Sequence, residues 1–212
     1  DMEGSRGLGD VYKRQDLHDP IMQDASVSII TIDSEEGLEI MRHTLTAQVL
    51  ARAVKNLYPK SKLAIGPTIK DGFYYDVECD ETISVDDLKN IEKEMDKIVK
   101  TKSSISKKLL SKKDALKVFE DKDESYKQEI INDSDQEDKF QLYYQDDEDF
   151  VDLCKGPHLP SLNFIGAYKL TTISGAYWKG DSNNTMLTRI YGTAWSNEKD
   201  LNEHLNLSLI HI

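Results

Sequence analysis

The most constraining feature of the sequence is a long amphipathic stripe that ends at a proline. Apolar side chains recur every three or four residues from Leu38 to Leu57, which is the spacing of one buried helix face. Asp33 and Glu36 give this stretch a start that resembles a capping box, and Pro59 ends it. The pattern predicts a helix that needs a second layer against which to bury its apolar face.

A hairpin signal follows this helix directly. Residues 63–69 and 73–77 are mainly apolar runs joined by Lys70-Asp71-Gly72, and Asp-Gly between two such runs is typical of a β-hairpin. Further elements are predicted as helices from Ser84, from Ser111 and near Tyr126, and as strands at 27–32, 140–144, 150–154, 168–173 and 186–190. Because helices and strands mix without a regular βαβ alternation, the sequence predicts an α+β fold with helices packed on a largely antiparallel sheet.

Composition narrows the class of protein. The 212 residues carry a net charge of −12, which argues against nonspecific nucleic-acid binding over the whole surface. The longest apolar runs are only a few residues, so no membrane span is expected, and the N-terminus lacks the apolar core of a signal peptide. Two cysteines, Cys79 and Cys154, are too few for a disulfide framework and suit a reducing, cytoplasmic setting.

Charge is distributed unevenly along the chain. From Lys93 to Lys117 there are nine lysines and three acidic residues, whereas residues 133–152 are strongly acidic. For any single lysine, a solvated helix face is the simpler interpretation. The alternative is a local phosphate-contacting surface on an otherwise acidic body.

Asp152, Cys154 and His158 form the constellation best suited to chemistry. Residues 152 and 154 are two apart on a predicted strand, so both side chains face one side. Gly156-Pro157 then turns the chain, which allows His158 to return beside Cys154. A thiolate and an imidazole at this spacing can hold zinc or support proton transfer. The alternative is a buried cysteine followed by an exposed loop histidine.

Four sequence blocks carry a family resemblance. They read LAIGPTIKDGFYYD at 63–76, FVDLCKGPH at 150–158, GAYWKGD at 175–181 and MLTRIYGTAW at 186–195. In this order the blocks resemble the editing domain of threonyl-tRNA synthetases, and the likeness extends over about residues 40–205. Alanyl-tRNA synthetases share the Cys-x3-His pattern but not the blocks around it.

The resemblance implies a domain organisation. Residues 35–197 would be an α+β editing domain of the class II threonyl/alanyl type, preceded at 16–34 by the remnant of a ubiquitin-like (TGS) domain and followed at 198–206 by the start of a linker helix. Residues 1–15 and 207–212 fit no periodicity, and we interpret them as a non-native leader and tail. The aminoacylation site, and with it ATP, would belong to a synthetase core absent from this chain.

The resemblance also implies a reaction and its partners. Threonine differs from serine by one methyl group, which is worth only about 1–3 kcal/mol in binding, so a second site would hydrolyse seryl-tRNA(Thr). The implied partners are the acceptor end of tRNA(Thr) and the synthetase core of the same chain, with a homodimer only in the full-length enzyme. Two alternatives stay open: a degenerate module that binds the acceptor end without hydrolysis, and a free-standing trans-editing deacylase.

Specific residues follow from the resemblance. The catalytic candidates are Asp152, Cys154, His158 and Lys127. Lys127 would stabilise negative charge or bind a phosphate; the alternative is a surface lysine on a polar helix. Tyr74 or Tyr75 would stack on the terminal adenosine; the alternative is that both pack within the sheet.

The first helix departs from the family pattern, which places His-x3-His there. Aligned backward from Pro59, the two histidine positions hold Thr44 and Gln48; aligned forward from Arg42, the first position holds His43. At about 100° per residue, Thr44 and Gln48 share one edge of the buried stripe. His43 falls on the far side unless the helix bulges after it. A regular helix therefore favours Thr44 and Gln48 as the substrate-binding residues.

This choice bears on metal binding. With Thr44 and Gln48 in the pocket, Cys154 and His158 are the only strong metal ligands, and zinc sites use three or four. We therefore predict no resident metal and less than stoichiometric zinc.

Overall fold

The computed structural model describes residues 14–146 and 150–210, with side chains to residue 207. Within these residues the chain is an α+β fold in which helices pack on antiparallel sheets, so the predicted fold class is confirmed. Residues 1–13 and 211–212, which fall in the predicted leader and tail, lie outside the described residues. No helix of the described part has the length and apolar character needed to cross a membrane.

The elements follow one another along the chain with these bounds. The helices are α1 (Glu35–Thr44), a π-helix (Leu45–Leu50), α2 (Ala51–Leu57), α3 (Leu88–Lys100), α4 (Lys112–Asp121), α5 (Ser125–Asp133) and α6 (Glu198–Ile210). The strands are β1 (Lys62–Leu63), β2 (Thr68–Ile69), β3 (Gly72–Glu78), β4 (Ile105–Leu110), β5 (Phe140–Gln145), β6 (Val151–Leu153), β7 (Ala167–Tyr177) and β8 (Met186–Trp195).

The amphipathic stripe forms α1, the π-helix and α2 as one continuous run. Ser34 caps its start, because the Ser34 side chain accepts the Gly37 N–H at 3.1 Å. All six residues of the π-helix, Leu45–Leu50, are buried. A π turn holds more residues than an α turn, so the side chains on either side of this segment point in directions that a regular helix would not give them.

Two antiparallel sheets supply the second layer. The larger has the strand order β1-β3-β8-β7, with β2 also paired to β3, and Asp71 at φ 59° makes the predicted Asp-Gly turn between β2 and β3. The smaller has the order β4-β5-β6. The helical run and α3 bury Met41, Val49 and Ile91 in one core with residues of the larger sheet, whereas α4 and α5 cover the smaller sheet.

Two predictions about strands need correction. Residues 27–32 form no strand in the described part of the chain, and Val27 and Ile29 are 64% and 81% exposed. An apolar run becomes a strand only when a neighbour pairs with its backbone, and no strand among the described residues pairs with this one. Conversely, β4 lies inside the lysine-rich stretch where no strand was predicted, because its pairing with β5 outweighs its polar composition. The lysines from Lys93 to Lys117 therefore divide among α3, β4, α4 and the connection between α3 and β4, which holds Lys102.

Candidate active site

Two histidines and a cysteine converge where the end of α1 meets the loop after β6. Candidate ligand atoms of His43, Cys154 and His158 all lie within 4.8 Å of one another. The Nε2 atom of His43 is 2.7 Å from the sulfur of Cys154. The His43 and His158 rings are stacked, with centroids 4.7 Å apart and planes inclined by 7°. We call these three residues the His-Cys cluster.

The position of His43 corrects the prediction made from a regular helix. The π-helix begins directly after α1, so the bulge that would bring His43 into the site is present. On the N-terminal side of the π-helix, the structure agrees with the alignment made forward from Arg42. In that alignment His43 holds the first histidine position. Beyond it, the widened turn restores the backward register, in which Gln48 holds the second position.

Thr44 holds His158 in place instead of lining the pocket. Thr44 is fully buried, and its hydroxyl donates to the Ile40 carbonyl at 2.8 Å. The same oxygen accepts the Leu159 N–H at 2.9 Å and lies 3.1 Å from His158 Nδ1. Because the hydroxyl proton is already used, His158 Nδ1 must be the donor. The His158 Nε2 atom then carries a lone pair, and this buried atom has no hydrogen-bond partner among the described residues.

Gln48 is buried one π turn beyond His43. Its backbone carbonyl accepts a hydrogen bond from Gln145 Nε2 at 2.7 Å. Its own side-chain Nε2 is buried without a hydrogen-bond partner among the described residues. An amide can donate and accept hydrogen bonds but does not act as a base near neutral pH, so Gln48 adds polarity and no proton acceptor.

The loop that carries Cys154 and His158 is shaped by a close approach to Tyr143. Gly156 has φ 63°, and a Cβ there would lie 2.0 Å from the Tyr143 hydroxyl. Glycine is therefore required both by its left-handed backbone and by the lack of space. The Tyr143 ring packs edge-on against His158 at 4.3 Å between centroids, which fixes the second side of the imidazole.

Asp152, Lys127 and Tyr75 form a buried polar network beside the cluster. Lys127 Nζ lies 2.5 Å from Asp152 Oδ1, and the two side chains are 4% and 3% exposed. The Tyr75 hydroxyl donates to Asp152 Oδ2 at 3.2 Å and accepts from Lys127 at 3.1 Å. The interpretation of Lys127 as a surface lysine is therefore wrong, because α5 buries it against the carboxylate.

The predicted stacking role of the two tyrosines finds no place in this arrangement. Tyr75 is fully buried within the polar network, so its ring is closed to a base. Tyr74, its neighbour on β3, points to the other face of the sheet. There it stacks under Arg189, whose guanidinium carbon lies 3.9 Å from the ring centroid.

Burial sets the charge state of the cluster. Desolvation lowers the pKa of His43, although the nearby Asp152 charge opposes the shift. Desolvation, with a smaller contribution from His43, also lowers the pKa of His158 well below its usual range. Burial raises the pKa of Cys154 to about 12. Without a bound cation, the cluster therefore consists of two neutral imidazoles and a neutral thiol, with a hydrogen bond between His43 Nε2 and the Cys154 sulfur.

A cleft of about 170 Å³ opens beside the cluster. Its lining includes His43, Gly156 and Pro157 on the cluster side, and Arg14 and Glu39 on the other. A larger hollow of about 320 Å³ lies near Lys55 and Glu124, away from His43 and His158. We assign the smaller cleft to the site because it alone of these two reaches a residue of the His-Cys cluster.

Comparison with known proteins identifies the relationship. Residues 141–191 match the family described as the threonyl and alanyl tRNA synthetase second additional domain. Over 195 residues the chain is 50% identical to the threonine–tRNA ligase of Francisella philomiragia, and over another 195-residue alignment it is 48% identical to threonine–tRNA ligase 2 of Bacillus subtilis. The chain is a homologue of the threonine–tRNA ligases. Each alignment covers 92% of this chain and 30% of the relative.

The family match covers part of the candidate site. The matched residues 141–191 include Asp152, Cys154 and His158, whereas His43 and Lys127 reach the site from earlier elements. The chain spans only about 30% of the length of these relatives.

Sequence reasoning missed two contributors to the site. Tyr143 was assigned only to a strand, although its alternation with Leu142 on β5 could have marked it as facing the loop after β6. Asp16, from the segment interpreted as a domain remnant, accepts a hydrogen bond from the His158 N–H at 2.8 Å. No pattern in the sequence signals a contact between residues so far apart in the chain.

The residues of the His-Cys cluster fit a zinc ion. Two neutral imidazoles and a cysteine are the donors zinc prefers, and three protein ligands with one open position is the arrangement of catalytic zinc sites. The unpaired Nε2 of His158 is the atom that such an ion would satisfy. The expectation of only two strong ligands rested on a regular helix, and the structure supplies His43 as a third.

Proposed function

We propose that this domain hydrolyses the ester that links serine to tRNA(Thr). The observation that carries the proposal is the free lone pair of His158 Nε2, which Thr44 orients and which lies behind His43 and Pro157, two residues that line the cleft. A buried neutral imidazole can accept a proton at neutral pH. The relatives named threonine–tRNA ligase give the reaction its context, because serine is the amino acid that a threonine site rejects poorly.

The proposed reaction begins with a water molecule in the cleft. His158 Nε2 accepts a proton from the water as its oxygen bonds to the ester carbonyl carbon. The bond from that carbon to the ribose oxygen then breaks, and the imidazolium returns the proton to the ribose oxygen. The His43 ring stacked on His158 restricts the rotation of the His158 ring. Zinc, if bound by His43, Cys154 and His158, would use the same His158 Nε2 lone pair, and would take the place of this base by polarising a water oxygen.

The rest of the assignment follows from the same relatives. We propose that the chain corresponds to the editing portion of a threonine–tRNA ligase, and that the tRNA acceptor end is its partner. The aminoacylation site and its ATP would belong to the remaining length of the relatives.

A second candidate function is binding of the acceptor end without hydrolysis. It is favoured by Gln48, an amide at a position where the family pattern has histidine. Under this alternative the cleft would position the tRNA end, and the His-Cys cluster would be structural.

Single-turnover deacylation with the complete chain separates the two functions. The assay compares seryl-tRNA(Thr) with threonyl-tRNA(Thr) for the parent chain and for His158→Ala, Gln48→His and His204→Ala. His204 is the matched control, because it packs on Trp195 outside the cluster. We expect preferential serine release, a loss of about 10²–10⁴-fold for His158→Ala and no change for His204→Ala.

The outcomes are distinct. A faster Gln48→His variant would mean that the amide limits the parent. A parent chain that binds the acceptor end but releases no serine, with or without added zinc, would support the binding module and refute hydrolysis.

A further inference from the structure

A carboxylate from the segment that precedes α1 is bound next to the His-Cys cluster. Asp16 Oδ2 accepts hydrogen bonds from the Tyr143 hydroxyl at 2.7 Å and from Lys107 Nζ at 2.7 Å. Asp16 Oδ1 accepts the backbone N–H of His158 at 2.8 Å. The three donors come from β5, β4 and the loop after β6, and together they surround one anion. We call Lys107 Nζ, Tyr143 OH and His158 N–H the anion cradle.

The cradle is built by the domain itself and not by the segment that fills it. Lys107 and Tyr143 are paired across β4 and β5, and His158 is held by Thr44. Lys107 is only 16% exposed. Although desolvation opposes the charge, the ion pairs with Asp16 and Asp19 raise the pKa of Lys107. A partly buried cation, a hydroxyl and an amide aimed at one point form a site for a negatively charged group.

The occupant, by contrast, is attached mainly by its charges. Residues 14–34 contain no helix or strand, and Leu17 and Met22 are 72% and 85% exposed. Apart from those of Asp16, the ion pairs that join this segment to the other described residues are Asp19 with Lys107 and Arg14 with Glu39. A segment with so little apolar burial can leave at modest free-energy cost.

The cradle and the reactive atoms share one residue. The His158 backbone donates to the anion while its ring belongs to the His-Cys cluster, and the Tyr143 ring touches that same imidazole. In an aminoacyl-tRNA, the ester and the nearest phosphate are likewise separated by a single ribose. The geometry points to the anion cradle as the subsite for the 5′-phosphate of the terminal nucleotide, with Asp16 as an internal occupant that must leave when substrate binds.

This inference deepens the proposed function and rests on it for the identity of the nucleotide. It predicts that Asp16 competes with phosphate. When a tethered competitor occupies a site, the apparent affinity for a ligand equals the intrinsic affinity multiplied by the fraction of molecules in which the site is free. Removing the carboxylate should therefore strengthen binding of a phosphate-bearing ligand and leave a neutral ligand unaffected.

The test measures binding of adenosine 5′-monophosphate, adenosine and inorganic phosphate to the complete chain by titration calorimetry. For Asp16→Ala we expect monophosphate affinity to rise about tenfold, with adenosine unchanged. Adding Lys107→Gln should abolish the gain. Asp19→Ala is the matched control: it removes a carboxylate from the same segment and the same lysine, but leaves Asp16 in the cradle, so we expect less than a twofold change.

Each outcome decides the inference. A gain for monophosphate and not for phosphate alone identifies a nucleotide subsite, whereas equal gains identify a general anion site and remove the nucleotide assignment. Equal gains for adenosine and monophosphate would show only that the cleft has opened, and would overturn the inference. So would unchanged affinity in both Asp16→Ala and the milder Asp16→Asn, provided that both variants unfold cooperatively. Because no hydrolysis is measured, a failure of the proposed reaction would be seen separately.

Discussion

Thr44→Val tests how the fold sets the reactive histidine. Thr44 is fully buried, and its hydroxyl oxygen accepts hydrogen bonds from the Leu159 N–H at 2.9 Å and from His158 Nδ1 at 3.1 Å. Valine has nearly the same shape but no hydroxyl. The substitution therefore leaves two buried donors without an acceptor while changing little else.

The expected magnitude follows from those two donors. A buried donor without a partner costs about 1–3 kcal/mol, so we expect the two donors together to lower the free energy of unfolding by about 2–6 kcal/mol. The His158 tautomer also loses a hydrogen bond worth about 1–1.5 kcal/mol. Since about 1.4 kcal/mol corresponds to a factor of ten, deacylation should slow by roughly tenfold.

The assays are urea unfolding and single-turnover release of serine from seryl-tRNA(Thr). Thr46→Val is the matched control: it lies in the same helical run, is also fully buried, and its hydroxyl donates to the Tyr74 carbonyl at 2.9 Å. We expect Thr46→Val to lower the free energy of unfolding by about 1 kcal/mol and to leave the deacylation rate unchanged. Thr44→Ser should restore both properties. A Thr44→Val chain that deacylates at the parent rate while Thr46→Val behaves as expected would refute the assignment of the His158 tautomer.

Three further predictions concern the same site. In zinc-free protein, burial holds the pKa of His158 well below its value in the unfolded chain. The free energy of unfolding should therefore be greatest above pH about 6.5 and decrease as the pH falls from there toward the folded-state pKa. Urea titrations at several pH values should show a weaker pH dependence for His158→Gln and an unchanged one for His204→Gln. Lys127→Met leaves the buried Asp152 carboxylate without its ion-pair partner and should lower the free energy of unfolding by about 3–5 kcal/mol. A second change, Asp152→Asn, should recover much of this loss. A Lys127→Met variant as stable as the parent would contradict the buried ion pair. Elemental analysis after zinc loading should find about one zinc per chain and far less in Cys154→Ser, whereas equal zinc in both would place the metal elsewhere.

Much of the fold was predictable because its signals are local. The stripe from Leu38 to Leu57, the stop at Pro59 and the Asp71-Gly72 turn each depend on a few neighbouring residues, and the structure has the helical run and the hairpin that they predict. Strands with weak local signals were not predictable in the same way. Residues 27–32 and β4 show that backbone pairing, which depends on distant residues, decides whether a segment becomes a strand.

The sequence by itself determined that three of the candidate site residues lie close together. Cys154, His158 and Asp152 come together because they are close in the chain and share a strand and a turn, so their proximity needs little help from the rest of the fold. The family resemblance added Lys127, and the structure buries it against Asp152.

Only the tertiary structure decided which residue of the first helix faces Cys154. The apolar stripe fits a regular helix and a helix with a π segment almost equally well, because both bury the same side chains. The choice between them depends on packing against β3, α3 and β6, which periodicity does not encode. That packing places His43 against Cys154, assigns Thr44 to hold His158, and leaves Asp16 bound at the edge of the site.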